Sequence, residues 1–364
     1  MTGQDAAARS VGGRWGRVAE IVSLVAVGLS LLVLSFSWPG ARGEAAGLSI
    51  AVAGEAELVG EFMAGAGEGL GEVVDLVEVE DREEALDGIQ EREYIGGIVF
   101  TQDDPEVLTA SANGRVPAAF MTELSTQLQT MLNTQVYAGV TNGIRGAVET
   151  GTDPSAALAQ MPKSLPTVTV TDVVPYSDGD PNGVGTTVAG IPLTVGALLA
   201  GIVIAFTVTG RWQRIGAVLG LGIGGGLLLT IILGTWLQVY PGAFGTVWLA
   251  LGLSLTATSS LFVGLHSALG RAGLGIVGAL TLFVAMPWAA FAVPYEFLPA
   301  GLGYIGQWLI PGATATLVRT VSYFPEADTT GPWWALGVWA ALGLMLVVLS
   351  RHRAAQASTA EVSP

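Results

Sequence analysis

Few residues in this chain could do chemistry. It has no cysteine, two histidines (His266 and His352) and one lysine, Lys163. Without cysteine there are no disulfides, thiolate metal sites, iron–sulfur clusters or cysteine nucleophiles. Two isolated histidines give no basis for a histidine zinc site or a catalytic triad. Residues 177–183, Ser-Asp-Gly-Asp-Pro-Asn-Gly, match the first half of a calcium loop, D-x-D-x-N-G. The twelfth position of such a loop is a bidentate glutamate, and here it is Ala189. A polar turn leading into an apolar segment is the plainer reading. Lys163 follows Pro162 rather than a glycine, and no G-x-x-x-x-G-K-[ST] run exists, so the chain carries no phosphate loop. No pair of carboxylates sits in a recognisable apolar setting, so glycosidase-type chemistry has no support. The expectation is a chain without enzymatic activity, cofactor, metal or nucleic-acid partner of its own.

The elements that must position these residues are set by a membrane-like composition. The chain has 364 residues, 51% of them hydrophobic and only 12% charged, with 51 glycines and a mean hydropathy of +0.58. Soluble domains carry about 25% charged residues and about 7% glycine. A span needs about 20 mostly apolar residues. Six runs qualify or nearly do: residues 21–38, 187–208, 215–237, 244–265, 274–293 and 333–350, none holding a charged side chain. The first follows Arg9, Arg14 and Arg17 and reads as an uncleaved signal anchor. Basic residues in short loops stay on the cytoplasmic side. The N-terminal tail (residues 1–20), the Arg211/Arg214 break, the Arg271 break and the tail at residues 351–364, with Arg351 and Arg353, then all face the cytoplasm. Tryptophans near span ends (Trp38, Trp212, Trp236, Trp288, Trp333 and Trp334) suit an interfacial belt.

The charge separates along the chain. Between residues 40 and 180 there are 24 acidic and 6 basic residues, a net of −18; elsewhere there are 6 acidic and 9 basic, a net of +3. The overall −15 therefore belongs to one domain, residues 39–186, placed outside by the topology and large enough for its own core. Strand-like runs at 48–52, 73–79, 94–101, 107–112 and 167–174 alternate with helical ones at 56–69 and 82–93. A long helix follows, with apolar residues at Phe120, Leu124, Leu128, Met131, Leu132, Val136 and Val140 on one face. The fold class expected is a polytopic α-helical membrane protein. Six transmembrane helices carry a mixed α/β extracytoplasmic domain between the first and second. The acidic stretch from Glu72 to Glu93 reads as the solvated face of that domain.

Within the five-helix part, residues 187–350, two features stand out. Gly216, Gly220 and Gly224 share one helix face, which suits close packing, either within the bundle or against a second copy or moving helix. Residues 294–324 are apolar but broken by Pro299 and Pro311. Such a segment suits re-entrant or interfacial helices, anchored by Tyr295, Tyr304, Trp308 and Tyr323. The spans lack the ionisable groups that ion-coupled transporters use. If the chain moves something, the energy comes from outside it and the cargo is lipophilic rather than ionic.

The architecture resembles the membrane subunit of a type-2 ABC exporter, including its phage-infection-protein-like branch. The resemblance rests on Leu48–Val52, on Glu84-Ala85-Leu86-Asp87-Gly88-Ile89 leading to Gly96-Gly97-Ile98-Val99-Phe100, and on Leu309-Ile310-Pro311-Gly312 followed by Leu317-Val318-Arg319. The order Pro175, Asp180, Gly183-Val184-Gly185 adds to it. It implies a homodimer or heterodimer of permeases in the lipid bilayer, driven by a separate nucleotide-binding ATPase that uses the ATP. The ATPase contact would be Arg211, Trp212 and Arg214 with the loop beside Ala272. The broken segment with Pro299, Trp308, Pro311 and Arg319 matches the family's proline-broken external helices, and its residues read either as a lid or exit-path element or as a membrane-lying loop that only packs. The family's coupling element is reduced here to residues 209–214. A second reading therefore stays open: a non-transporting envelope protein acting as receptor, scaffold or sensor through its acidic domain.

Overall fold

Period-two strands build the first half of the protein and long apolar helices the second. The computed structural model describes residues 20–38 (except 21 and 24), 48–66, 74–101, 104–153, 155, 159, 165–291 and 294–360. The N-terminal arginines, Lys163 and the end of the fifth expected span at residues 292–293 lie outside the described residues.

A five-stranded sheet has the order β2-β1-β3-β4-β5. Its strands are β1 (Leu48–Gly54), β2 (Val74–Glu78), β3 (Gly96–Phe100), β4 (Glu106–Thr109) and β5 (Thr169–Asp172). β1 pairs in parallel with β2, Leu48 opposite Val74, and with β3, Ile50 opposite Gly96. β3 and β4 are antiparallel, and β4 and β5 parallel. Parallel neighbours need crossovers. These run through α2 (Ala56–Ala66), α3 (Arg82–Gln90) and α4 (Arg115–Thr150), with α1 (Val25–Trp38) preceding the sheet. Asp81 starts α3 by accepting from the backbone N–H groups of Glu83 and Glu84 at 2.8 and 3.0 Å, which satisfies two orphan donors of the first turn.

Alternation along β1 sorts the core. Leu48, Ile50 and Val52 pack with Met121, Leu124 and Leu128 of α4. Ala51 and Ala53 face the other way, with Ala85 and Ile89 of α3. Met131 is 58% exposed, so the expected apolar face of α4 is buried only up to Leu128. Geometry explains the difference. A 36-residue helix is about 54 Å long at 1.5 Å per residue, and strands of four to seven residues cannot cover it.

The sheet's face on α4 is buried by residues of the domain itself. Its second face is closed by Tyr323, Phe324 and Ala327, which follow the broken segment far along the chain. Phe324 is 1% exposed and is among the largest fully buried side chains. The sheet domain and the residues that follow the broken segment therefore share the core on this face.

Four helices are long and apolar enough to cross a membrane. They are α5 (Val184–Thr207), α6 (Arg211–Trp236), α7 (Phe244–Leu269) and the Thr330–Ser350 part of the last helix. α1 and α8 (Arg271–Ala285) are shorter apolar helices. The fifth expected span reached residue 293, but α8 ends at Ala285. Pro287 lies just beyond, has no N–H to donate, and disfavours helix in the residue before it. After it come α9 (Leu302–Gln307), α10 (Ile310–Tyr323) and α11 (Thr330–Ala360).

α7 is the hub, buried over 72% of its span against 22–39% for the other three. Its Ser254, Thr256, Thr258 and Ser259 hydroxyls donate to carbonyls four residues back at 2.7–3.0 Å. No polar group on that stretch is left facing an apolar neighbour, and the small side chains let other helices come close. The outer sides of α5 and α6 expose large apolar residues, among them Leu199, Val203, Phe206, Ile223 and Leu228. Trp212 and Trp236, at the two ends of α6, are 65% and 77% exposed, as interfacial anchors would be.

Candidate functional site at the domain junction

A cavity of about 340 Å³ lies where the sheet domain meets the broken segment. Ser49, Arg92 and Asn113 line it from the sheet side, and Tyr295, Glu296 and Thr320 from the other. Its walls also carry Glu91, Glu93 and Asp328.

Arg92 is aimed into the junction by the way α3 stops. The N–H of Arg92 donates to Ile89 O at 3.1 Å and that of Glu93 to Gly88 O at 2.8 Å, while Arg92 itself adopts φ 64°. This is the left-handed helix stop that glycine ordinarily fills. A side chain there costs about 1–3 kcal/mol unless its surroundings hold it. Here the guanidinium is held: Nη1 donates to Thr320 Oγ1 at 2.5 Å and Nη2 to Asn113 Oδ1 at 3.1 Å. It also stacks on the Phe324 ring, 5.2 Å from its centroid. Burial and the nearby Arg319 charge lower its pKa to about 10, with Glu296 opposing. At neutral pH it keeps its charge.

The partners of Arg92 are neutral. Among the described residues the one ion pair within 4.0 Å is Arg82–Glu106, elsewhere in the sheet domain. Glu296, in the cavity wall, has a buried Oε2 with no donor. Burial first, then the charge of the adjacent Glu296 carboxylate and a hydrogen bond to it, push the Tyr295 hydroxyl up, so it remains a donor. Tyr295 meets Tyr304 edge-on at 5.2 Å.

Arg319 sits one residue from Thr320 and is 4% exposed. Its Nη2 donates to Phe291 O at 2.8 Å, and its Nε is buried without an acceptor. The segment around it is pinned elsewhere. Trp339 Nε1 donates to Trp308 O at 2.7 Å, and a Cβ on Gly312 would lie 2.2 Å from Gly306 O, a crossing only glycine permits. Pro311 sits buried in the first turn of α10, where its missing N–H costs nothing. Pro299 opens a short 3₁₀ turn, and Trp308 is 66% exposed.

The sequence-marked residues fall in three places. Arg319 and the broken segment reach the junction. Arg211, Trp212 and Arg214 lie at the opposite end of the bundle, inside the first turn of α6 rather than in a free loop. Arg214 donates to Val208 O at 2.7 Å, Ser267 Oγ at 2.6 Å and Ala205 O at 3.0 Å, closing the end of α5. Arg211 lies 5.2 Å from the exposed Trp212 ring. A Cβ on Gly216, Gly220 or Gly224 would meet nothing within 4 Å among the described residues, so that face packs against none of them. The glycines that do are Gly222 and Gly226: a Cβ would lie 2.9 Å from Gly252 O at the first and 2.7 Å from Gly252 Cα at the second. Asp180, from the calcium-like stretch, caps α5. Its carboxylate accepts from Gly185 N at 2.9 Å, Thr186 N at 2.8 Å and Thr186 Oγ1 at 3.0 Å.

Comparison with family models, curated proteins and solved structures finds no match. What the site can do must come from its geometry.

Sequence reasoning missed Arg92 and Glu296. Both carried a signal: an arginine at a helix stop where glycine is the norm, and a carboxylate in an otherwise apolar segment.

Proposed function

We propose that the chain is the membrane-spanning permease of an ABC-type exporter, moving a lipophilic or cell-surface substrate with energy from a separate ATPase. In this reading α1 and α8 join the four long helices as six spans. Both termini and the Arg211/Arg214 and Arg271 turns face the cytoplasm, and the acidic sheet domain faces outward.

One observation carries it. A polar cavity lies between the sheet domain and a proline-broken segment whose last helix, α10, is buried in the bundle. Broken backbone at membrane depth is tolerated where it is covered by protein or lines a cavity, and here it does both. An amphiphile leaving a bilayer needs polar walls next to lipid-facing surface. The exposed Tyr304, Ile305 and Trp308 supply that surface beside the cavity. With no phosphate loop in the chain, ATP hydrolysis falls to a partner.

Two experiments test this. Affinity purification from the native membrane should bring down an ATPase whose turnover rises when the chain is present; a chain that neither binds nor stimulates one ends the exporter reading. For the orientation, Glu84→Cys should react with an impermeant thiol reagent from outside and Ala355→Cys should not. Reversed labelling would overturn the topology.

A further inference from the structure

The junction cavity has walls of both charge signs, and neither sign is neutralised by the other at contact distance. We propose that it binds the headgroup of an amine-bearing phospholipid, a phosphoethanolamine group with its phosphate on Arg92 and its ammonium on Glu296. The inference stands whether or not an ATPase drives the chain.

The ligand class follows by elimination. At about 340 Å³ the cavity is near the lower end of the roughly 300–1,000 Å³ typical of ligand sites, the size for a small polar group. A simple anion would be drawn to Arg92 but would face Glu91, Glu93, Glu296 and Asp328. A simple cation would meet those carboxylates but also Arg92, backed by Arg319. A zwitterion satisfies both.

The positive end is set by Arg92. Its two hydrogen bonds to Thr320 and Asn113 orient the guanidinium without cancelling its charge, and a phosphate accepts from such a planar fork in a charge-assisted geometry. The negative end is set by Glu296, whose carboxylate takes a hydrogen bond from Tyr295 while its Oε2 has no donor. That atom needs a hydrogen-bond donor. A primary ammonium has three; a trimethylammonium has none, which selects ethanolamine over choline.

The lipid source follows from the rim. Tyr304 belongs to the cavity wall and is also 61% exposed, next to Ile305 at 53% and near Trp308 at 66%. A headgroup in the cavity can therefore keep its acyl chains on this apolar face of α9.

The test uses the full chain purified in detergent. It is offered equal amounts of phosphatidylethanolamine, phosphatidylcholine and phosphatidylglycerol with matched acyl chains, and retained lipid is read by native mass spectrometry. The ethanolamine lipid should be retained about tenfold over the other two, a charge-assisted hydrogen bond of about 1.4 kcal/mol. Glu296→Gln should erase the preference over choline, and Arg92→Gln should lower retention of all three by about tenfold. Glu106→Gln, away from the cavity, should change nothing. Free phosphoethanolamine should compete only at about a hundredfold higher concentration, since it lacks the acyl contacts. Equal retention of the three lipids by the unmodified chain would overturn the proposal without needing any variant to fold. So would a Glu296→Gln protein that keeps the preference. A free headgroup binding as tightly as the lipid would replace the lipid with a soluble zwitterion.

Discussion

Arginines close both ends of the helical bundle, and the two ends treat them differently. At the α5–α6 turn, all three nitrogens of Arg214 donate: the Ala205 and Val208 carbonyls and the Ser267 hydroxyl accept from it. Two of those carbonyls belong to the end of α5, where the last C=O groups have no helical partner. At the junction, Arg319 has one carbonyl and an orphaned Nε, and Arg92 has two neutral acceptors and a cavity. The first arrangement finishes a helix. The second leaves binding capacity unused. Only the Arg211 and Arg214 pair was expected as a partner contact, and Arg211 Nε there is also buried without an acceptor, so the contrast lies between Arg214 and the junction arginines.

The largest expected effect tests whether the junction is soft as a whole or only in its polar groups. Phe324→Ala removes a ring shared by the sheet domain and the segment after α10. It should cost about 3–5 kcal/mol, as large aromatic truncations in cores do, read by thermal unfolding of the purified protein. A cost under about 1 kcal/mol would mean that the two halves are not joined through this core.

Next come the arginines themselves. Arg214→Ala leaves two carbonyls without this donor, while the Ser267 hydroxyl keeps its bond to Val263 O, and should cost about 3 kcal/mol. Arg319→Met keeps most of the volume and removes an incompletely paired buried charge, so its effect on unfolding should stay within about 1 kcal/mol, or be stabilising. Equal losses in the two variants would erase the contrast drawn here.

How much of this was legible beforehand differs between the same two regions. The strands and helices of the acidic domain follow from alternation and caps, so β1 to β5 and α2 to α4 lie where the pattern puts them, within a few residues. The apolar helices follow from length and lack of charge. The junction does not, because its core joins residues some 270 positions apart, Ala51 with Phe324. No local period encodes that. Arg92 was hidden for a related reason: its importance depends on a left-handed turn and on Thr320 across the junction. The end of α8 was misplaced because twenty apolar residues outweighed one proline in the reading.

A smaller effect separates two faces of α6. Gly226→Ala would drive a methyl to 2.7 Å from the Gly252 backbone, which cannot give way as a side-chain tip can. It should cost about 1–3 kcal/mol. Gly220→Ala points into open space and should be neutral or stabilising by up to about 1 kcal/mol, through helix propensity. If Gly220→Ala instead destabilises in the bilayer but not in dilute detergent, the Gly216–Gly220–Gly224 face is an interface between copies.

The smallest effect concerns the one ion pair among the described residues, which lies outside both arginine clusters. Arg82 Nε donates to Glu106 at 2.7 Å, and Thr171 Oγ1 donates to the same carboxylate at 2.6 Å. The hydrogen bond from Arg82, joined by that from Thr171 and by the arginine's charge, holds the Glu106 pKa below its ordinary value, against burial. A carboxylate with a lowered folded pKa contributes stability that is present above its unfolded pKa. That stability is lost as the pH falls through the folded one. Arg82 is 45% exposed, so solvent screens the pair and its contribution is under about 1 kcal/mol. Thermal unfolding followed from about pH 6 down to about pH 3 should therefore fall slightly more steeply for the unmodified chain than for Glu106→Gln. At neutral pH the variant should lie within about 1 kcal/mol. A larger neutral-pH loss would mean that this exposed pair does what the buried arginines do not, and electrostatics in the sheet domain would then outweigh those of the junction.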